Sequence, residues 1–307
     1  MITTVCMNPS FDKTASLESL HPGEVNRLKD VRLDVGGKGL NVAIVLSRLN
    51  VPVGCVACLG ESNASNFERL VRKENLTFSS LTLPGEVRTN LKIFDESSQM
   101  ITELNEPGPT MTEEQLDAFI SLLKEKAADS SYVVLGGRLP AGCKDDTYRR
   151  CMQALDGKRI VLDSAGDSLL HGIKEKPYLI KPNLPEIEAI VRKELKTLRG
   201  IREAALFLMD YGAQNVIVSM GKLGAVLITG NKTLFAPALS VEARSTVGAG
   251  DAMIGGVMMG LDNGLPLEEA FRYGVAAGAA SVMTDGTGLL HKDEFDALVP
   301  RVTVQEV

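Results

Sequence analysis

Short apolar runs rich in β-branched residues alternate with helix-period segments through the second half of this chain. That alternation narrows the fold more than any other feature. Residues 132–135, 159–163, 178–181, 216–219 and 226–228 predict strands. Most are apolar almost throughout, as strands are when both faces of a mostly parallel sheet are covered. Between them, residues 112–127 place Leu116, Phe119, Ile120 and Leu123 at i, i+3, i+4 and i+7, behind a Thr112/Gln115 capping box. Residues 186–191, 202–211, 251–261 and 267–284 also read as helices. Such an order predicts an α/β fold of three layers, helix, sheet and helix.

The first third differs. Near 12–35 and 88–106 apolar and polar residues alternate, with Leu91, Ile93 and Ile101 set against Lys92, Asp95 and Thr102. This predicts half-exposed strands with no helices among them, a small β-sheet hung on one domain spanning 1–307.

Charge and composition exclude some functions. Acidic residues outnumber Lys and Arg by 39 to 33, for a net charge of −6, which argues against a nucleic-acid partner. A small anion pocket remains open to such a chain. No apolar run reaches membrane-spanning length and no charged-then-apolar leader follows Met1, so no membrane partner is expected. The five cysteines form no compact framework, which fits a reducing cytoplasmic location. Cys55 and Cys58 lie inside an apolar run and read as buried strand residues. His21, His171 and His291 are scattered and suggest no nucleophilic arrangement.

Chemistry concentrates in a few motifs. Thr246-Val247-Gly248-Ala249-Gly250-Asp251 opens an apolar helix, where backbone N–H groups and the helix dipole favour an anion. Asp251 there is either a helix cap or, beside a phosphate, the acceptor of an attacking hydroxyl's proton. Gly36-Gly37-Lys38-Gly39 with Asn41 precedes another helical run. It is not a Walker loop, because Gly follows the Lys. It reads either as a turn with a solvated Lys or as a backbone that a ligand approaches, with Lys38 and Asn41 as donors.

Lys181-Pro182-Asn183-Leu184-Pro185-Glu186 follows a strand, where open sheets bind ligands. Asn183 and Glu186 can hold a hydrated Mg²⁺ through water, or simply start a helix. Asn8-Pro9-Ser10-Phe11-Asp12, Arg88-Thr89-Asn90 and residues 103–109 are polar clusters at strand ends. Ser219-Met220-Gly221-Lys222-Leu223-Gly224 is compatible with close approach of a nucleotide.

Taken in order, Asn-Pro-x-x-Asp, Gly-Gly-Lys-Gly-x-Asn, Arg-x-Asn, Lys-Pro-Asn-x-x-Glu, Ser-x-Gly and Gly-Ala-Gly-Asp resemble the ribokinase-like sugar kinases of the phosphofructokinase B group, over essentially the whole chain. The resemblance implies a ribokinase-like three-layer α/β/α sandwich with a small β-sheet lid. It implies ATP-dependent phosphorylation of a phosphorylated ketohexose, with Mg²⁺ and, in some members, a monovalent cation. The motifs look most like the branch that converts fructose 1-phosphate to fructose 1,6-bisphosphate. Branches acting on tagatose 6-phosphate or fructose 6-phosphate are the alternative, and a non-catalytic sugar-phosphate sensor is a further one. By the same resemblance Asp251 is the base, and Gly248, Ala249 and Gly250 form the anion hole. Asp12, Gly37, Lys38, Asn41, Arg88, Asn90 and Asn105 meet the sugar phosphate. Lys181, Asn183, Ser219, Gly221, Gly224, Thr246, Ala277 and Gly278 border ATP, and Asn183 with Glu186 attends the metal. Two positions depart from the pattern. Arg138 stands in Gly137-Arg138-Leu139-Pro140 where Ser is usual, beside the expected sugar site, and Ala252 replaces a Ser that often follows the base. Apolar residues on the lid strands predict a homodimer through the lid.

Overall fold

The structure, a computed structural model, describes residues 1–284, 286 and 288–307. Among these residues the strands form two sheets. The main sheet has ten strands, in the order Gln305–Glu306, Thr233–Ala236, Ala225–Ile228, Val216–Ser219, Leu179–Ile180, Arg159–Asp163, Tyr132–Gly136, Ile2–Cys6, Val53–Gly60, Thr77–Leu83. From Val216–Ser219 to Thr77–Leu83 the neighbours pair in parallel. The strands beyond Val216–Ser219 are added antiparallel. The chain starts at Ile2–Cys6, winds outward through Val53–Gly60, then returns and winds the other way from Tyr132–Gly136. Strand order therefore reverses beside Ile2–Cys6, and such a reversal opens a crevice at the carboxyl ends of the strands.

Side chains alternate across this sheet into two cores. Ile2, Cys55, Val134 and Val161 face the helices Lys38–Arg48, Ala249–Asp262 and Leu267–Val282. Val5, Val56, Val133 and Leu162 face Glu113–Lys126, Thr147–Gln153, Gly166–Ile173 and Leu198–Asp210. This is the three-layer sandwich that the alternation predicts. The helix Glu113–Lys126 begins with the expected box of Thr112 and Gln115. Helix Lys38–Arg48 lies so close to the first strand that a Cβ on Gly39 would stand 1.9 Å from the Val5 carbonyl oxygen. Only glycine fits there.

The small sheet has four strands, in the order Lys29–Gly36, Ser10–Leu17, Arg88–Asp95, Met100–Asn105. Its register places Asp12 opposite Asn90, Asn90 opposite Asn105, and Lys92 opposite Glu103. Residues paired in register share a face, so Ser10, Asp12, Arg88, Asn90, Lys92 and Asn105 form one polar side. Phe11, Ala15, Leu33, Leu91, Ile93 and Leu104 form the other. Phe11 anchors that apolar side on Phe67, ring centroids 5.3 Å apart. Leu33 and Leu104, further out, remain 47% and 56% exposed. The alternation read from the sequence is redrawn here. Ile101 pairs with Phe94 on the face of Lys92, while Thr102, opposite Ile93, and Asp95 share the face of Leu91 and Ile93, because the turn between Asp95 and Met100 sets that register. Lys92, on the polar side of that alternation, is buried.

Candidate active site

Cys6, Gly136 and Asp163 close neighbouring strands at one edge of the main sheet, where strand order reverses. The small sheet turns its polar face over that edge. Between them lies a cavity of about 320 Å³, lined by Asp12, Gly37, Lys38, Asn41, Arg88, Asn90, Asn105, Arg138, Gly248 and Asp251, with Lys92 and Cys6 also in its wall. Every residue that the motifs assign to the sugar phosphate is in that wall. A larger cleft of about 670 Å³ runs past Arg48, Arg244 and Lys292 but holds none of these motif residues.

Helix Ala249–Asp262 delivers Asp251. Gly248 caps the helix in the left-handed region at φ +78°, which favours glycine. The first turn of any helix leaves backbone N–H groups without partners inside it, so this tip is built for an anion. Asp251 is buried and accepts from Asn41 Nδ2 at 2.7 Å on Oδ2. Burial pushes the Asp251 carboxyl up to about 6, with Asp163 adding to the rise and Lys38, Asn41 and Lys181 opposing it. A carboxylate near neutrality is poised to take a proton.

Two ammonium groups flank the tip. Lys38 Nζ stands 3.1 Å and Lys181 Nζ 3.4 Å from Asp163 Oδ1. Burial works against the Lys38 charge, but Asp163, Asp251 and Glu186 outweigh it and raise its pKa. Burial likewise opposes the Asp163 charge, and Lys181 with Lys38 overcomes it and holds the carboxyl low. A Cβ on Gly250 would lie 3.1 Å from Lys181 Nζ, so that ammonium sits at the helix tip. Lys38 thus shares the Asp163 carboxylate with the Lys181 ammonium that sits at the helix tip.

The small sheet supplies the opposite wall. Asp12 accepts from Ser10 Oγ at 2.8 Å and Asn90 Nδ2 at 3.1 Å on Oδ1, and from Lys92 Nζ at 3.2 Å on Oδ2. A Cβ on Gly36 would come within 2.7 Å of that carboxylate, so Gly36 makes room for Asp12 rather than for a ligand. Arg88 donates to the Asn8 carbonyl at 3.1 Å and to Asn90 Oδ1 at 3.2 Å. Burial lowers the Arg88 pKa, and the charge of Arg138 lowers it further. Two guanidinium groups sharing one small cavity call for an anion between them.

The residues assigned to ATP lie outside this cavity. Asn183 and Ser219 bridge where two strands end, and Gly221 and Gly224 follow at the turn. Gly224 is required by its own fold, since a Cβ there would meet the Ala236 carbonyl oxygen at 2.1 Å. Ala277 is wholly buried and opposes Gly256, and Gly278 faces the Ala249 carbonyl, so both serve the contact between two helices. Ala277 has no surface left for a nucleotide. Thr246 precedes the helix tip.

Asn183 and Glu186 form a capping box at helix Leu184–Val191, each backbone N–H donating to the other's side chain at 2.8 Å. Among the described residues no three His, Cys, Asp or Glu side chains group to cage a metal ion. One Glu186 oxygen remains outside the cap, while Asp163 is already neutralised by Lys38 and Lys181. That donor set fits a Mg²⁺ ion that arrives on phosphates and keeps its waters. Asp163 and Lys92 are the site residues that the sequence reading does not single out. A carboxylate closing an apolar strand, one step after Leu162 and so level with the Lys181 that follows Ile180 on the parallel neighbour, is the signal for the first.

Comparison with known proteins agrees with this geometry. A family model described as pfkB family carbohydrate kinase matches residues 6–293. A 1-phosphofructokinase of Rhodobacter capsulatus is 36% identical over 307 residues, covering 99% of this chain and 97% of that protein. The crystal structure of phosphofructokinase-2 from Escherichia coli in complex with potassium superposes with a TM-score of 0.91 at 28% identity, over 98% of both chains. A ribokinase from Thermotoga maritima shares the fold, with a TM-score of 0.81 at 23% identity over 98% of this chain and 99% of that one.

Proposed function

The chain belongs to the pfkB family of carbohydrate kinases, and we propose that it transfers the terminal phosphoryl group of ATP to the free primary hydroxyl of fructose 1-phosphate, giving fructose 1,6-bisphosphate. The observation that carries this reading is the 320 Å³ cavity in which Arg88 and Arg138 share a wall with Asp251. Its volume suits one sugar phosphate, and its cations suit a substrate that already bears a phosphate.

In this reading Asp251 takes the proton of the attacking hydroxyl. The N–H groups of residues 248–250, with Lys38 and Lys181, hold charge on the transferring group. Lys38 therefore acts on the phosphoryl group in transit, and Arg88 and Arg138 hold the phosphate already present. Asp12 accepts one sugar hydroxyl on the lone pair of Oδ2 that Lys92 leaves. Asn90 and Asn105 close the wall from the small sheet, and Gly37 lets the sugar lie against the backbone. ATP lies along Lys181, Asn183, Ser219, Gly221 and Thr246, with Glu186 toward its metal. Mg²⁺ there would offset the charge of the β- and γ-phosphates.

The solved relative's complex with potassium supports a monovalent-cation requirement here too. The open apolar face of the small sheet supports its role as a lid and a homodimer through it. Among the described residues no helix is long and apolar enough to cross a membrane. With the family's metabolic chemistry, that supports a cytoplasmic location.

The test is ATP turnover by the purified protein on fructose 1-phosphate, fructose 6-phosphate and tagatose 6-phosphate. The highest kcat/KM is expected on fructose 1-phosphate. A higher value on either 6-phosphate would reassign the substrate, and no turnover on any would return the chain to a sensor.

A further inference from the structure

Asn41 lies in the first turn of helix Lys38–Arg48, buried at 7% exposure. Its Nδ2 reaches across 210 residues of sequence to Asp251 Oδ2 at 2.7 Å. Two features distinguish it from an ordinary buried amide. The bond holds Oδ2 of the carboxylate and restrains its plane, which leaves Oδ1 free of this contact in a residue that lines the cavity together with Asn41. In addition, Asn41 Oδ1 is itself buried with no hydrogen-bond partner. A buried acceptor left unpaired is costly, and a ligand donor in the cavity is what would satisfy it.

We propose that Asn41 is a positioning residue for the base: its amide nitrogen fixes Asp251 in the orientation that presents Oδ1 to the attacking hydroxyl, while its amide oxygen accepts from the bound sugar. The proposal rests on Asp251 being the base. One planar amide then ties the occupied sugar site to the aim of the carboxylate. Substrate arrival completes the amide's hydrogen bonding and stiffens the group that must take the proton.

The amide also affects protonation. A hydrogen bond to the ionised carboxylate favours that form, so losing it raises the proton affinity of Asp251. A protonated carboxyl cannot act as base, and the acid limb of the rate profile must move to higher pH. The other groups facing Asp251 are Lys38 on the same helix as Asn41, Asp163 and Lys181 at the strand ends, and Cys6 on the first strand. Asp12, Arg88, Lys92 and Arg138 complete the charged wall. None of them changes when Asn41 is replaced.

The experiment measures kcat against pH at saturating ATP and sugar phosphate, for wild type, Asn41→Leu and Asn41→Asp. The sugar phosphate's own ionisation is common to all three and cancels in the comparison. For Asn41→Leu the acid limb is expected to rise by at least about half a pH unit, and kcat at neutral pH to fall roughly tenfold. The KM for ATP should hold. Asn41→Asp keeps the shape and sets a second carboxylate against the base, so its limb should rise further. It also covers the case in which the Leu variant fails to fold. If both limbs stay where wild type has them and the loss is confined to the KM of the sugar, Asn41 is a substrate ligand only and the proposal is overturned. Asp251→Asn run alongside keeps the two readings apart. A fully active Asp251→Asn removes the base itself, whereas an inactive one with unmoved Asn41 limbs removes only the positioning role.

Discussion

Strands of the main sheet carry their functional side chains only at the carboxyl ends, whereas those of the small sheet carry them at every second position. Ile2–Cys6 and Tyr132–Gly136 are buried from end to end, and what they offer the site is a terminal thiol and a glycine. Arg88–Asp95 instead presents Arg88, Asn90 and Lys92 from one face of a single strand. The reason is covering. A sheet packed on both faces has no side-chain position free for a ligand, so function is pushed to its edges. A sheet with one face over a cavity can use that whole face. The two sheets should therefore fail differently when mutated: the first in stability or in the chemical step, the second in substrate affinity or assembly.

Asp251→Asn, at the edge of the main sheet, is the largest test. It should lower kcat by roughly 10²–10⁴-fold while the KM values for sugar and ATP stay close to wild type. Stability should move the other way. The folded carboxyl titrates near 6 against an ordinary 3.8. Between about pH 4 and 6 the folded state therefore holds a proton that the unfolded chain has lost, and stability from this group falls as pH rises. Above 6 the whole penalty stands. Asn escapes it, so the variant should melt higher than wild type at pH 7.5, with the gap closing by pH 4. An inactive variant that also melts lower would mean that Asp251 is a structural cap.

Phe119→Ala tests the packed side of the comparison. Phe119 is fully buried under the main sheet and lines no part of the cavity. Its truncation should cost about 3–5 kcal/mol in denaturant melts and leave kcat/KM of the surviving folded enzyme unchanged. A large loss of kcat/KM at full folding would show that the packed layers also tune the site.

Those differences also mark what the sequence makes legible. The parallel strands, the helix at Glu113–Lys126 with its box, and the glycine motifs all depend on local backbone demands, and each can be read from a short stretch. The cavity wall could be named for the same reason, since Asp12, Arg88, Asn105 and Asp251 sit in motifs. Asp163 and Lys92 could not. Their roles come from neighbours in the sheet, Lys38 and Lys181 for one and Asp12 for the other. Alternation in Arg88–Asp95 reveals two faces without saying which one meets water. The face that carries Lys92 turns inward, and Asp12 makes the burial of its ammonium tolerable. Ile101 fell on the other face because register follows the preceding turn. Thr77–Leu83 and Thr233–Ala236 lack a strong period, so the sequence does not announce them as strands.

Arg138→Ser examines the cavity wall where the chain departs from its family's usual Ser. If Arg138 shares the substrate's phosphate with Arg88, its loss should raise the sugar KM by roughly tenfold, since a charge-assisted contact contributes about 1.5–3 kcal/mol. Removing it also relieves the repulsion on Arg88, which sets a ceiling on the loss. The KM for ATP should barely change. An unaltered sugar KM would mean that Arg138 lines the cavity without touching the substrate's phosphate.

The smallest effect on the monomer is expected from the outer face of the small sheet. Leu33 and Leu104 stand on the apolar side at 47% and 56% exposure, beyond the part that Phe11 anchors. Ala15 and Ile93 on the two central strands are buried, whereas Leu33 and Leu104 stand on the two edge strands, with Lys13 between Leu33 and Leu91, so the open apolar part lies along the edges. Exposed single substitutions usually change stability by less than about 0.5 kcal/mol, so Leu33→Ser with Leu104→Ser should leave a monomer's melting curve almost untouched. An open apolar sheet face, however, is a place for a partner, and the simplest self-complementary partner is the same face of a second copy. Light scattering at micromolar concentration should then give a dimer for wild type and a monomer for the double variant. Because the polar face looks into the cavity from the same strands, separation should also loosen Arg88 and Asn90, raising the sugar KM slightly. A wild-type chain that is already monomeric would cut that link and leave the small sheet acting alone.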